Sequence, residues 1–301
     1  MFLPFQYYDP GTLQEFINLT QTLPNYQILA GGTDLFVKMR NGWQHCEHVV
    51  DIKKIRDLQL QQINILPNGI ELGSLVNFTQ IQTHPLIQQK FTALHESACV
   101  MGCREIRNRA TIGGNICNAA SGAEGGSTML IFDPIVHIAG KDGRRSMPLA
   151  EFYQATEERG KTKVGVALKP GELVTHFFLP FLPAKSNSTY IRRSRTQGMD
   201  LSSLNLALAI IDADIPENRR FRIAGGAVAP LPCRFPKVEE FLASQATLSS
   251  EVIQAAKRLI QEAANPRAGS KRASVAYKKD QIGELLEQAI HKLVNGHSCC
   301  C

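Results

Sequence analysis

Aromatic residues are scarce in this chain, at 7% of 301 residues with a single tryptophan, Trp43. Nucleic-acid surfaces interleave aromatics with a long basic face, so neither stacking nor groove binding is indicated. The formal charge of +6 comes from 33 basic and 27 acidic residues. Its densest runs, Arg192-Arg193-Ser194-Arg195 and Arg219-Arg220-Phe221-Arg222, are short and read as solvated or anion-facing strand ends. No apolar stretch reaches the roughly 20 residues that span a bilayer. The opening Met1-Phe2-Leu3-Pro4-Phe5 lacks a basic segment leading into an apolar run. A cytoplasmic protein without membrane contact is expected. Eight cysteines are present, at 46, 99, 103, 117, 233, 299, 300 and 301, but none has the Cys-x-x-Cys spacing of zinc or iron–sulfur sites. No metal site is expected. Cys99 and Cys103, one helical turn apart, read as apolar thiols of a reducing compartment. His84, His95 and His137 stand alone and read as structural. Also missing is Gly-x-Gly-x-x-Gly, which removes the Rossmann dinucleotide fold.

What remains is an ordinary globular composition, 44% hydrophobic and 20% charged, in a chain long enough for two domains. Helical spacing of Leu13, Phe16, Ile17 and Leu23 predicts an opening helix that Pro24 ends. A strand at 26–29, a helix at 35–40 and a strand at 48–52 follow. Alternation at Ile63, Ile65, Ile70 and Leu72 around Pro67-Asn68-Gly69 predicts a hairpin. Asn77 or Thr79 would cap the next helix, and another runs from Phe91 to Met101. A strand is expected at 135–139. The polar stretches 157–161 and 169–171 look like surface loops and bracket a domain boundary. Beyond them lie predicted strands at 173–179, 189–193, 205–212 and 221–228, then helices at 249–263 and 281–294. The expected division is a first domain at 1–165, with lobes of about 1–57 and 58–165, a C-terminal α+β domain at 171–295, and a tail at 296–301.

Two glycine turns carry the chemistry. A dinucleotide's pyrophosphate needs several donors close to two negative groups, and backbone N–H groups approach best where no Cβ intervenes. In Ala30-Gly31-Gly32-Thr33-Asp34, the glycines bring the main chain to the phosphates, Thr33 adds a hydroxyl, and the following helix aims its N-terminus at them. In Thr111-Ile112-Gly113-Gly114-Asn115, the two glycines offer donors and Thr111 and Asn115 offer side-chain hydrogen bonds. The small-residue run Ala119–Ala123 and Glu124-Gly125-Gly126 then read as chain lying beneath a flat ligand, with Glu124 bonding a ligand hydroxyl. A third pair, Gly225-Gly226, falls inside a predicted strand and reads as packing or a bulge.

At these residues the sequence resembles the FAD-binding subunit of the xanthine dehydrogenase and carbon monoxide dehydrogenase family. The resemblance spans essentially the whole chain. It rests on Ala-Gly-Gly-Thr-Asp-Leu at 30–35, Val50-Asp51-Ile52, Ile106-Arg107-Asn108, the run from Thr111 to Asn118, and Gly-Gly-Ala-Val-Ala-Pro at 225–230. It implies a vanillyl-alcohol-oxidase-type FAD domain of two small α+β lobes plus a C-terminal α+β domain like that of CO dehydrogenase flavoproteins. FAD would be held by Ile28, Leu29, Ala30, Gly31, Gly32, Thr33, Asp34 and Leu35 in the first loop. Ala110, Thr111, Gly113, Gly114 and Asn115 would hold it in the second. Position by position, Met101 falls near the flavin ring, Glu124 where an aspartate usually bonds the cofactor, Val174 at an apolar contact, and Arg192 where a basic residue approaches the ring. No side chain need act as a catalytic acid, base or nucleophile. The implied partners are a molybdopterin-binding large subunit and a [2Fe-2S] small subunit, with NAD or another acceptor taking the electrons.

The chain departs from that pattern twice. Cys103-Arg104-Glu105 replaces a small-Pro-Gln run, and Ser121-Gly122-Ala123-Glu124 replaces Ser-Pro-x-x-Asp. Both departures lie where the ring and ribityl chain are expected, so acceptor identity stays open. Two other readings also stand at this point. One is a stand-alone flavin reductase similar to the enzyme that reduces UDP-N-acetylenolpyruvoylglucosamine, and the other is a docking module that kept the fold without the cofactor.

Overall fold

A computed structural model describes residues 3–158, 161–196, 199–215, 217–270 and 272–294. The expected tail and its Cys299-Cys300-Cys301 lie outside them. The first lobe runs β1 (Gln6–Tyr8), α1 (Leu13–Thr22), β2 (Tyr26–Leu29), α2 (Leu35–Arg40) and β3 (His48–Asp51). Thr12 caps α1 by accepting the Glu15 amide. Strand β3 is central, parallel to both β1 and β2, so the strand–turn–helix–strand unit is a β-α-β crossover. Three residues at β1 were too short a run to stand out by pattern.

The second lobe begins with the hairpin β4 (Ile63–Leu66) and β5 (Gly69–Gly73). Short helices follow: α3 (Phe78–Thr83), α4 (Pro85–Lys90), α5 (Thr92–Val100), α6 (Arg104–Arg107), α7 (Ile112–Cys117) and α8 (Glu124–Leu130). Asn77 is the cap of α3, in a full capping box with Gln80. Then come β6 (Ile135–Gly140), β7 (Gly143–Pro148), α9 (Leu149–Phe152), the hairpin β8 (Tyr153–Glu158) and β9 (Lys161–Val166), and β10 (Leu173–Pro180). The sheet order is β4-β5-β10-β6-β7.

That order corrects the expected boundary. The strand expected at 173–179 falls in the C-terminal domain by sequence, yet β10 pairs antiparallel with both β5 and β6, at the centre of the second lobe's sheet. Glu157, Glu158 and Lys161, charged as in a linker, lie on β8 and β9, which pair with each other apart from that sheet before β10 returns to it. The break therefore falls after Pro180. A second correction concerns Glu124-Gly125-Gly126. Helix α8 is buried along its whole length rather than spread beneath a ligand. Its glycines make room for neighbours: an added Cβ would lie 2.6 Å from Asn115 Oδ1 at Gly125 and 2.6 Å from the Pro232 ring at Gly126.

The C-terminal domain is a meander, β11 (Asn187–Arg193), β12 (Leu204–Ile211), β13 (Arg220–Gly226) and β14 (Cys233–Arg234), backed by α10 (Pro236–Ala243), α11 (Ser250–Ala263) and α12 (Val275–Val294). Every residue of β12 is buried, because helices cover one face and the first domain the other. The packing role read for Gly225-Gly226 holds, since an added Cβ would meet Val228 at 2.6 Å and Asn205 Oδ1 at 2.4 Å. Asn205, fully buried, joins the domains: it accepts from Ser127 Oγ at 2.6 Å and donates to the Gly122 carbonyl at 3.2 Å. Among the described residues no helix is long and apolar enough to cross a membrane.

Candidate cofactor site

One large cavity, about 1690 Å³, opens where the two lobes and the C-terminal domain meet. Small-molecule pockets usually hold about 300–1,000 Å³, so this one has room for a dinucleotide. Of the sequence-predicted residues, Ile28, Ala30 to Leu35, Met101, Ala110, Thr111, Gly113, Gly114, Asn115, Glu124 and Val174 all line it. Leu29 does not; it is buried among Met39, Cys46 and Val49 on the other side of β2. Arg192 is also absent from the lining. It lies behind Glu124, with Nη1 3.5 Å from the carboxylate, and donates to the Asp200 carbonyl at 3.1 Å.

The two glycine turns touch each other. A Cβ on Gly31 would fall 1.9 Å from the Arg109 carbonyl oxygen, and one on Gly114 would reach within 3.8 Å of the Ala30 methyl. Glycine at 31 thus lets the loops close on one another. At Gly32 the reason is conformational, with φ +75° and the Phe36 ring 2.8 Å from any added Cβ.

Their amides divide the work unevenly, which corrects the expectation that both turns present donors. In the second turn the four amides from Ile112 to Asn115 are all engaged: Ile112 with Val76 O, Gly113 with Ser74 O, Gly114 with Thr111 Oγ1 and Asn115 with Thr111 O. This segment is the capped N-terminus of α7. In the first turn none of the five amides from Gly31 to Leu35 meets an acceptor among the described residues. Asp34, the cap residue of α2, makes no side-chain cap bond, and its carboxylate turns to Lys38 at 2.7 Å. Lys38 also donates to Asn118 Oδ1 at 2.6 Å, so the first turn is fastened to the end of α7. A row of open donors at a helix start is an anion cradle, and a diphosphate fits it.

The cavity's charges agree with that. Its carboxylates are already matched: Asp34 by Lys38, Glu172 by Arg145, Glu124 by Arg192, and Asp200 by Arg195 and Arg272. Among the described residues, Arg267 and Lys278 of the lining have no carboxylate partner. Lys278 is buried and donates to the Ala227 carbonyl at 3.0 Å; burial, then Arg267 and Arg272, pull its ammonium below the usual lysine range. Glu124, 4% exposed, accepts from Ser202 Oγ at 2.9 Å. Residues missed by the sequence reading include those of the far wall, Asp200 to Ser203, Arg267, Arg272 and Lys278. No local pattern marks them, because they become neighbours only when the C-terminal domain docks.

Fold and site together define a flavoprotein of the two-lobed FAD-binding class. Residues 3–182 match the family described as FAD binding domain in molybdopterin dehydrogenase, and 189–293 match the CO dehydrogenase flavoprotein C-terminal domain. The chain belongs to this family of oxidoreductase FAD subunits. It is 30% identical to the putative xanthine dehydrogenase FAD-binding subunit XdhB of Escherichia coli (strain K12), over 96% of this chain and 95% of that one. It is 29% identical to the nicotinate dehydrogenase FAD-subunit of Eubacterium barkeri, over 92% of each. A solved carbon monoxide dehydrogenase chain of Hydrogenophaga pseudoflava shares the fold at a TM-score of 0.89, with 23% identity over 99% of this chain and 100% of that one.

Proposed function

We propose that this chain is the FAD-holding medium subunit of a molybdenum hydroxylase. In this reading electrons reach it from a molybdopterin-binding large subunit through a [2Fe-2S] small subunit, and leave to NAD or another acceptor. The observation that carries it is the row of open amides from Gly31 to Leu35, facing the same cavity as Thr111, Asn115 and Glu124. FAD, when bound, supplies redox chemistry that accepts electrons singly or in pairs. The chain's residues supply position and electrostatics. Amides 31–35 would hold the diphosphate, and α7 props that loop in place. Glu124, steadied by Ser202 and Arg192, would accept a hydrogen bond from a cofactor hydroxyl. Met101 and Val174 furnish apolar walls, and Arg267 and Lys278 bias the cavity toward anions.

The test is purification of the chain from its native host with whatever accompanies it. Flavin absorbance, iron and molybdenum in one complex are the expected result. Recovery of a flavin-loaded chain that oxidises NADH alone would favour the stand-alone reductase, and a flavin-free chain in a stable complex would favour the docking module.

A further inference from the structure

A second, smaller cavity of about 410 Å³ lies on the outer side of the second lobe, lined by Thr79, Gln82, Thr83, Gln88, His95, Arg104 and Arg107. Hydroxyls, amides, an imidazole and two guanidinium groups face it, and no carboxylate does. Cys99 is not part of the lining but touches two residues that are, His95 and Gln82. His95 and Cys99 sit at i and i+4 on α5, which places both side chains on one face of the helix. Cys99 Sγ lies 3.5 Å from His95 Nε2 and accepts from Gln82 Nε2 at 3.7 Å.

The other described thiols stand in less reactive surroundings. Burial raises Cys46, pushes Cys117 up to about 12 and Cys233 up to about 11, which keeps each protonated. Cys103, the cap residue of α6, stands apart and hydrogen-bonds the Glu105 carboxylate. Cys99 alone of the five described cysteines is flanked by an imidazole that can take its proton and an amide that can donate to the resulting anion. Arg104 and Arg107 line the same pocket as His95 and Gln82.

We propose that Cys99 is a site of thiol–disulfide exchange with small, carboxylate-bearing disulfides. His95 Nε2 accepts the Cys99 proton, and the thiolate attacks one sulfur of the incoming disulfide. The S–S bond breaks, a mixed disulfide forms at Cys99, and the other half leaves as a thiolate that takes the proton from His95. The thiol is oxidised to the mixed disulfide and the expelled half is reduced, with the disulfide itself as oxidant. Arg104 and Arg107 attract the carboxylates, while the threonine hydroxyls and glutamine amides of the pocket suit a peptide-like backbone. The adduct forms two residues from Met101, whose carbonyl accepts from Arg107 at 3.0 Å, so the modified pocket adjoins the wall of the cofactor cavity.

The experiment uses the full, FAD-loaded chain with Cys299, Cys300 and Cys301 changed to serine, treated in turn with glutathione disulfide and with neutral hydroxyethyl disulfide. Rates are read by intact mass and the modified residue by peptide mapping. The expected outcome is a single early adduct on Cys99, formed faster with the anionic disulfide. Arg104→Gln removes that preference and leaves the neutral reagent's rate unchanged. His95→Gln slows both reagents about three- to tenfold, the net of a lower thiolate fraction against a more nucleophilic sulfur. Circular dichroism of each variant checks its fold. Early modification of Cys103 or Cys46 in place of Cys99 overturns the proposal, as do equal rates for the two disulfides or a Cys99 rate indifferent to His95.

Discussion

At the scale of single residues, the glycines of the two turns differ in what they are for. Gly31 leaves space for the Arg109 carbonyl, whereas the nearest obstacle to a Cβ at Gly114 is Thr111 Oγ1 at 3.0 Å. Gly31→Ala must therefore push the loops apart, and a loss of FAD affinity of at least about tenfold is expected, or about 1.4 kcal/mol. Gly114→Ala calls only for a small adjustment and is expected to stay within about threefold. Titrating FAD against each variant by flavin fluorescence ranks them, and equal losses would mean that contact between the loops is not what the first glycine serves. Thr111 is legible in the sequence as a polar neighbour of a glycine pair, but its task is to cap α7 by accepting the Gly114 amide. Thr111→Val should cost about 1 kcal/mol of stability, the usual worth of an N-cap. A melting temperature unchanged from the parent would remove the cap from the account.

Among the elements, β10 is fastened by more than its ladders. Arg145 on β7 grips Glu172, just before β10, through two nitrogens at 2.8 and 2.7 Å, and Glu172 also accepts the Lys169 amide. The Arg145 hydrogen bonds, with help from the Lys169 amide, hold the Glu172 carboxyl below the ordinary glutamate range. A carboxyl that titrates lower in the folded than in the unfolded chain adds stability above the unfolded value, about 4.3. That contribution disappears as pH falls through the folded value. Melting curves between pH 7 and pH 3 should thus drop more steeply for the parent than for Glu172→Gln below about pH 4.5. Parallel curves would show that the pair adds nothing. The polar stretch around this carboxylate reads as a linker because strand pairing over a distance leaves no mark in local composition.

For the molecule as a whole, the cavity exists only because two domains close on it. One wall is the pair of loops, and the other is Asp200 to Ser203 together with Arg267, Arg272 and Lys278. The domains are joined by the buried Ser127–Asn205–Gly122 link and by Arg234, which reaches Asp133 at 2.6 Å and Glu239 at 2.7 Å. A fragment ending at Pro180 keeps the open amides but loses the far wall. It should bind FAD at least about tenfold more weakly than the full chain, as read by flavin retention on gel filtration. Undiminished retention would show that the C-terminal domain is not part of the binding surface.

Local chemistry was enough to mark the two glycine turns, the strand and helix spans around them, and the family, since turns, caps and hydrophobic period are properties of neighbouring residues. Tertiary structure decided which turn keeps its amides open. Engagement of Gly113 and Gly114 depends on Ser74 and Thr111, one of which comes from a strand end far along the chain. It decided that β10 belongs to the first domain and that α8 is core, because each is fixed by partners remote in sequence. It also decided that Arg192 lies beside Glu124 and not on the cavity wall, for where a charge at the end of a strand sits depends on whatever packs against it.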